Sequence, residues 1–396
     1  MKKFFTSTIV QLLAGVIAGI LLGTVANEQA MYVVVSVKHI LGQLIFFMVP
    51  LIILGFVAPS IARLKNNVGG MLGIALLLAY TSSVAGGLFA AFVGYEAIPF
   101  LHVDTAGSTL KEIPAMLFQL DIPPVMSVIS ALVLALMLGI SAVWIRSSVV
   151  QDLLESFQQM ILLLVTRVLI PVLPFFIAAN FCVLSYEGSI ASQLPIFVSV
   201  ILIAIVCHYI WLFVLYGLAG IYAGKNPLRV LKHYGPAYLT AVGTMSSAAT
   251  LGVALQCAGK SDVLRKDVTD FSIPLFANVH LCGSVITEVF FVMTVSQVLY
   301  GVIPPLATMI TFVFLLGIFA IAAPGVPGGT VMASLGIVLS VLGFDEAGTA
   351  LLLTIFALQD SFGTACNVTG DGALSLALTG YANKKEIGRA SCRERV

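Results

Sequence analysis

The sequence predicts an all-α polytopic membrane protein with eight transmembrane helices and two re-entrant helical hairpins arranged as inverted repeats. Three observations carry this. Of 396 residues, 60% are hydrophobic and only 9% charged, against about 25% charged in a soluble domain. Apolar stretches of spanning length recur through the first half. The basic residues fall on one side of the membrane only if two later segments fold back on themselves. A net charge of +1 without a dense Lys/Arg run removes the footprint that a nucleic-acid partner requires. The cysteines (Cys182, Cys207, Cys257, Cys282, Cys366, Cys392) are scattered with no CxxC, so neither disulfides nor a zinc site is expected.

A span needs about 20 mainly apolar residues, and the first half offers them at 8–26, 40–62, 70–95, 123–146, 157–186 and 194–223. Met1-Lys2-Lys3 and the apolar stretch to Thr24-Val25-Ala26 have the makeup of a secretory signal. Because the rest is equally membrane-spanning, a first transmembrane helix explains them better. With the amino terminus inside, Lys2, Lys3, Arg63, Lys65, Arg146, Lys225, Arg229, Lys232, Lys260, Arg265, Lys266, Lys384 and Lys385 lie on the cytoplasmic side and only Lys38 and Lys111 outside. That bias requires a hairpin at 236–258 entering from the cytoplasm, a crossing helix at 262–300, a hairpin at 303–345 entering from outside, and a crossing helix at 346–382. Both termini are then cytoplasmic, in a cell membrane. The tail from Lys384 turns abruptly polar, and 388–396 is set aside as a non-native scar.

Broken backbone at membrane depth is tolerated only where it lines an enclosed cavity, so a solute should bind in the second half. The first hairpin turns at Ser246-Ser247-Ala248-Ala249-Thr250-Leu251-Gly252. Small hydroxyl residues leave N–H groups open to an anion at a helix terminus, although close helix packing through small residues accounts for the run equally well. The second turns at Ala322-Ala323-Pro324-Gly325-Val326-Pro327-Gly328-Gly329-Thr330. Its prolines and glycines cannot continue an α-helix, so two half-helices end there with unpaired backbone groups for an ion or ligand.

In the last span Asp360, Gly363, Thr364, Asn367 and Asp371 share one helical face with Phe356. Each Asp at a helix centre costs about 2.5–3.5 kcal/mol on insertion scales. Arg167, the one base inside a span, belongs to an earlier helix. A bound cation and a ligand ammonium are the better compensators, with protonated structural carboxyls as the alternative. The preceding crossing holds Asn278, His280, Cys282, Gly283, Ser284 and Glu288. Gly283 amid small polar residues predicts local unwinding that frees carbonyls, which hard cations such as sodium prefer. Glu288 is a candidate proton carrier, and a lone His280 reads as a hydrogen-bonded packing residue.

At these residues the sequence resembles the dicarboxylate/amino acid:cation symporter family, the sodium:dicarboxylate symporters with the glutamate-transporter fold. The likeness covers residue 1 to about 384 and is most specific in SSAATLG, GVPGG and Asn367-Val368-Thr369-Gly370-Asp371. It implies a homotrimer in lipid, with scaffold and trimerisation helices within 1–224 and a transport core at 225–384 that moves as an elevator. Carried over by position, Asp360 would hold a substrate ammonium. Thr364 and Asn367 would hold the α-carboxylate beside Ser247, with Ser284, Val326 and Gly363 completing the pocket. Asn367 and Asp371 with the carbonyls of Phe276 and His280 would form one sodium site. Carbonyls of Asn278, Ala320, Ile321 and Ala323 would form another. Sodium is the only metal implied, as a coupling ion and not a cofactor.

The departures are equally informative. Acidic-substrate members carry an arginine where this chain has Gly363, and the other known arginine location is Met245 here. A pocket without a base rejects an acidic side chain, which points to a neutral small amino acid over the alternative of acidic amino acids or C4-dicarboxylates. The family's Asn-Met-Asp-Gly-Thr reads His280-Leu281-Cys282-Gly283-Ser284, leaving a degraded third sodium site at Thr81, Ser82 and Cys282. Glu288 falls where mammalian members have a glutamate linked to proton movement. A channel-like member is the remaining alternative. No HExxH, GxSxG or Ser/His pairing supports an enzyme.

Overall fold

The computed structural model describes residues 8–62, 70–101, 111–118, 120–145, 147–323 and 325–393. Lys2, Lys3, Arg63, Lys65, Arg146, Pro324 and residues 394–396 of the tail lie outside the described residues. The regular elements among the described residues are all helical. The first half contains α1 (Thr8–Val25), α2 (Glu28–Ala62), α3 (Gly70–Ala97), α4 (Val128–Ile145), α5 (Ser148–Glu187) and α6 (Ile190–Ala223). The second half contains α7 (Gly235–Thr244) and α8 (Ser247–Gly259), then α9 (Lys266–Val279) and α10 (Cys282–Tyr300). These are followed by α11 (Leu306–Ala322) and α12 (Gly329–Val341), and finally α13 (Glu346–Arg393). Six helical stretches are long and apolar enough to cross a membrane. The two remaining predicted spans, α1 and α4, have 18 residues each.

Several boundaries differ from the sequence reading, each for a local reason. α2 starts well before residue 40 because Asn27 caps it, its Oδ1 accepting from Ala30 N at 2.9 Å. The Ser36 hydroxyl within that extension is satisfied by the Tyr32 carbonyl at 2.7 Å. α5 starts at 148 and not 157, because Ser147 caps it. It continues through one wide turn at Val165–Leu169 just ahead of Pro171, whose missing N–H removes a regular helical bond. The last helix runs unbroken past 382 through Arg393.

The crossing predicted at 262–300 is two helices. The break falls at His280 and Leu281, where φ/ψ are −116°/98° and −120°/40°, and not at Gly283. Gly283 lies in the first turn of α10, where an added Cβ would collide with the Gly363 carbonyl oxygen. Its role is close approach of α10 to α13, not unwinding.

α13 and the α9–α10 pair are buried along most of their length, whereas α5 and α6 leave most of theirs uncovered. Phe213 and Ile221 of α6, 81% and 82% exposed, belong to an apolar outer surface suited to lipid or a neighbouring subunit. The basic end is a single face: Arg229 pairs with Asp262 at 2.8 Å, Arg265 reaches Asn383 at 3.1 Å, and Lys384 covers the Tyr222 ring at 3.9 Å.

α1 packs on α5 through Gly15, Gly19 and Gly23, spaced by four on one face. A Cβ at Gly15 would lie 2.5 Å from the Pro174 carbonyl oxygen, and at Gly19 or Gly23 it would strike the carbonyls of Ala178 or Cys182. Gly19→Leu is therefore expected to destabilise the protein by about 1–3 kcal/mol, read as a fall in melting temperature in detergent. Leu21→Ala, at a 61% exposed position, should leave it nearly unchanged.

Candidate functional site

The tips of the two hairpins meet. α7 ends at Met245, whose φ of 52° is unusual for a side chain of this size. Ser246 then caps α8 by accepting from Ala249 N at 3.2 Å, while its hydroxyl donates to the Gly325 carbonyl of the second tip at 2.7 Å. A Cβ at Gly325 would stand 3.7 Å from Ser247 Cβ and 3.2 Å from the Ala277 carbonyl, so the second tip rests on both the first tip and the end of α9. The second tip reaches α12 through Gly328, at φ 70°, a conformation glycine adopts without strain. The Gly328 N–H donates to Asp360 Oδ2 at 2.7 Å.

The α13 face predicted from spacing is intact, with Asp360 and Thr364 each 4% exposed and Asn367 and Asp371 each 1%. Asn367 caps the broken helix, its Oδ1 accepting from the N–H groups of Gly283 at 2.7 Å and Ser284 at 3.3 Å. Its amide donates to Ser284 Oγ at 2.9 Å. Position 363 faces Ser284 directly, since an added Cβ there would lie 3.5 Å from that residue. Ser247, Ser284, Asp360, Gly363, Thr364 and Asn367 thus belong to one neighbourhood around the two tips, with half-buried Val326 in the second tip.

The carbonyl groups proposed for cations divide in two. Ala320 and Ile321 are in the last turn of α11, Ala323 just follows it, and Asn278 is near the end of α9. Asn278 and Ile321 line one apolar cavity of about 500 Å³ with Pro274, Leu275 and Val279. Near Asp371 the dominant group is the His280 ring. Fully buried, it meets Asp371 Oδ1 through Nδ1 and Ser82 Oγ through Nε2, both at 2.9 Å. Phe276 packs edge-on against it at 6.2 Å. Cys282 is buried, and Thr81 is exposed beside a second cavity that Ser82 also lines.

Glu288 is buried, with one carboxylate oxygen accepting from Ser334 Oγ and the other unpartnered. Arg167 is exposed. Sequence reasoning missed a buried polar chain behind the break. His208 Nε2 lies 3.0 Å from both the Gly283 carbonyl and Thr287 Oγ1, and Thr287 donates to Gln359 Oε1 at 2.8 Å. The available signal was a histidine in the middle of an apolar span, which membrane burial makes costly without a partner. Ser246 was part of a quoted motif, but its contact across to the other hairpin has no signature in a single sequence.

The sequence profile of the sodium:dicarboxylate symporter family matches residues 8–380. Excitatory amino acid transporter 3 of Mus musculus is 29% identical over 201 residues, 51% of this chain and 38% of that protein. The Bos taurus protein of the same name is 26% identical over 265 residues, 66% of this chain and 50% of that protein. Neutral amino acid transporter B(0) of Mus musculus is 28% identical over 167 residues, 42% of this chain and 30% of that protein. The chain thus spans at most about half the length of these curated relatives. With a match across nearly all of its helices, the chain belongs to the sodium:dicarboxylate symporter family, a family of membrane-embedded transporters and not of enzymes.

Proposed function

We propose that this protein is a secondary active symporter of a small neutral α-amino acid, of the serine, threonine or alanine kind, coupled to sodium. One observation carries the substrate reading: among the described residues, acids are buried at the site and no lysine or arginine is fully buried beside them. Asp360 is a carboxylate in an apolar interior, held by the Gly328 N–H and the Thr364 side chain, and a ligand ammonium is the partner that offsets its burial. The substrate carboxylate would sit where the N-termini of α8 and α12 converge, the positive ends of two helix dipoles. A second carboxylate on the substrate would find Gly363 and Met245 where a base is needed.

In this reading 225–384 is the moving transport core and 1–224 mainly scaffold, within a homotrimer whose termini are cytoplasmic. The Gly328–Asp360 bond ties the second tip to the amine-binding carboxylate, so ligand arrival is felt directly by the hairpin that closes over it. Glu288 stays a candidate proton carrier, with Ser334 holding one of its oxygens. The competing reading, an acidic substrate, draws on the excitatory amino acid transporters among the relatives. The relative named for neutral amino acids favours the first. A channel would pass current without stoichiometric substrate coupling.

Purified protein screened by thermal shift against amino acids and dicarboxylates, with and without sodium, should be stabilised by serine-like ligands in sodium. Stabilisation by dicarboxylates alone would overturn the reading. Asp360→Asn should weaken amino-acid binding about a hundredfold or more, since breaking a buried ion pair costs about 3–5 kcal/mol; an unchanged Kd would reject the assignment. Gly363→Arg should move preference toward aspartate, measured by competition uptake in proteoliposomes, and continued strict neutrality would show that position 363 does not face the substrate side chain.

A further inference from the structure

We propose that the His280 ring fills the place of an ion at Asp371, which leaves this chain coupled to a single sodium ion, at the site that the family resemblance already implies where α9 and α11 end. The inference deepens the symporter reading above and rests on it for the amino-acid ligand.

Three of the oxygens expected at the Asp371 site already face hydrogen-bond partners. The Phe276 carbonyl accepts from the His280 backbone N–H at 2.9 Å. Asn367 Oδ1 accepts two N–H groups at the start of α10. Asp371 Oδ1 faces His280 Nδ1 at 2.9 Å, and the other ring nitrogen faces the Ser82 hydroxyl at the same distance. Nδ1–H donates to the carboxylate, and Nε2 shares one hydrogen bond with the Ser82 hydroxyl, which can serve as donor or acceptor. Both ring nitrogens are thus satisfied, as a fully buried ring requires.

The surroundings are shaped for the ring. A Cβ at Gly370 would come within 2.9 Å of His280 Cε1, so any larger residue there displaces the imidazole. Phe276 closes another side. A cation between Asp371 and the hydroxyl of α3 would have to occupy the volume of the imidazole and would lose Asp371 Oδ1 as a ligand. The donor set does not fit a sodium ion.

The other site has the opposite character. The Ala320 carbonyl would be paired in a continuing helix by the N–H of residue 324, which is proline and has none. The Ile321 partner would be Gly325, beyond the end of α11, and the Asn278 partner would be Cys282, across the break. These carbonyls belong to the negative ends of two helices, where no regular helical donor follows, and Asn278 and Ile321 line one cavity. Carbonyl oxygens at such ends are what a hard cation selects.

The test is the dependence of serine affinity on sodium at constant ionic strength, with choline as the replacement. One ion predicts that a tenfold drop in sodium weakens binding about tenfold, and two ions about a hundredfold. The wild-type protein is expected to show the first; the second overturns the proposal. His280→Asn frees Asp371 Oδ1, and its sodium dependence should steepen toward the second. A folded variant with an unchanged dependence rejects the ring as the blocking group. If that variant does not fold, the wild-type slope decides. If no amino acid binds at all, the symporter reading fails separately. Melting of the substrate-free protein against sodium, compared with potassium, then decides this inference: saturation as one site supports it and steeper dependence refutes it.

Discussion

A helix that stops inside a bilayer leaves peptide groups that no solvent can satisfy, and the architecture of the second half follows from how these are met. At the central break, Asn367 accepts the first N–H groups of α10, so the last helix and the broken helix are fixed to each other by one side chain. At the hairpin tips, Ser246 and Asp360 do the same for α8 and for the approach to α12. Each uncapped end would cost several kcal/mol in hydrocarbon. Short half-helices are tolerable here only because these side chains stand opposite them, and the burial of α13 is the geometric result.

The same caps bring acids into an apolar interior. Asp360 and Asp371 lie on one face of α13, yet their surroundings separate them. Asp360 meets a backbone N–H of a hairpin, whereas Asp371 meets an imidazole held on its far side by a hydroxyl. The first is suited to receive a ligand charge. The second is enclosed by Phe276, Ser82 and a glycine that leaves room for the ring.

Much of this was legible in the residues. The acidic face of α13 follows from helical periodicity, and the second tip from prolines and glycines that no helix can hold. The first-half spans were found from hydropathy, but their ends were not. Asn27 and Ser147 extend α2 and α5 by capping, a local interaction that outweighs a polar stretch no hydropathy window admits. The break was misplaced at Gly283 because glycine serves both unwinding and close approach, and only the carbonyl of Gly363 opposite it distinguishes the two. The partners of His280 were invisible for a different reason: Ser82 and Asp371 are 198 and 91 residues away from it in the chain. His208 and Gln359 escaped for the same cause.

The hydrogen bond from Gly328 to Asp360 has a consequence for how such a protein can diverge. In the proposed function one carboxylate serves both the recognition of cargo and the seating of the second hairpin, so the two properties draw on the same atoms. A mutation that retunes affinity at Asp360 also alters how readily the hairpin lifts. On that reading new cargo preferences are cheapest to acquire at positions such as Gly363, which faces Ser284 and leaves the hairpin alone, and lineages should vary there while holding the carboxylate fixed.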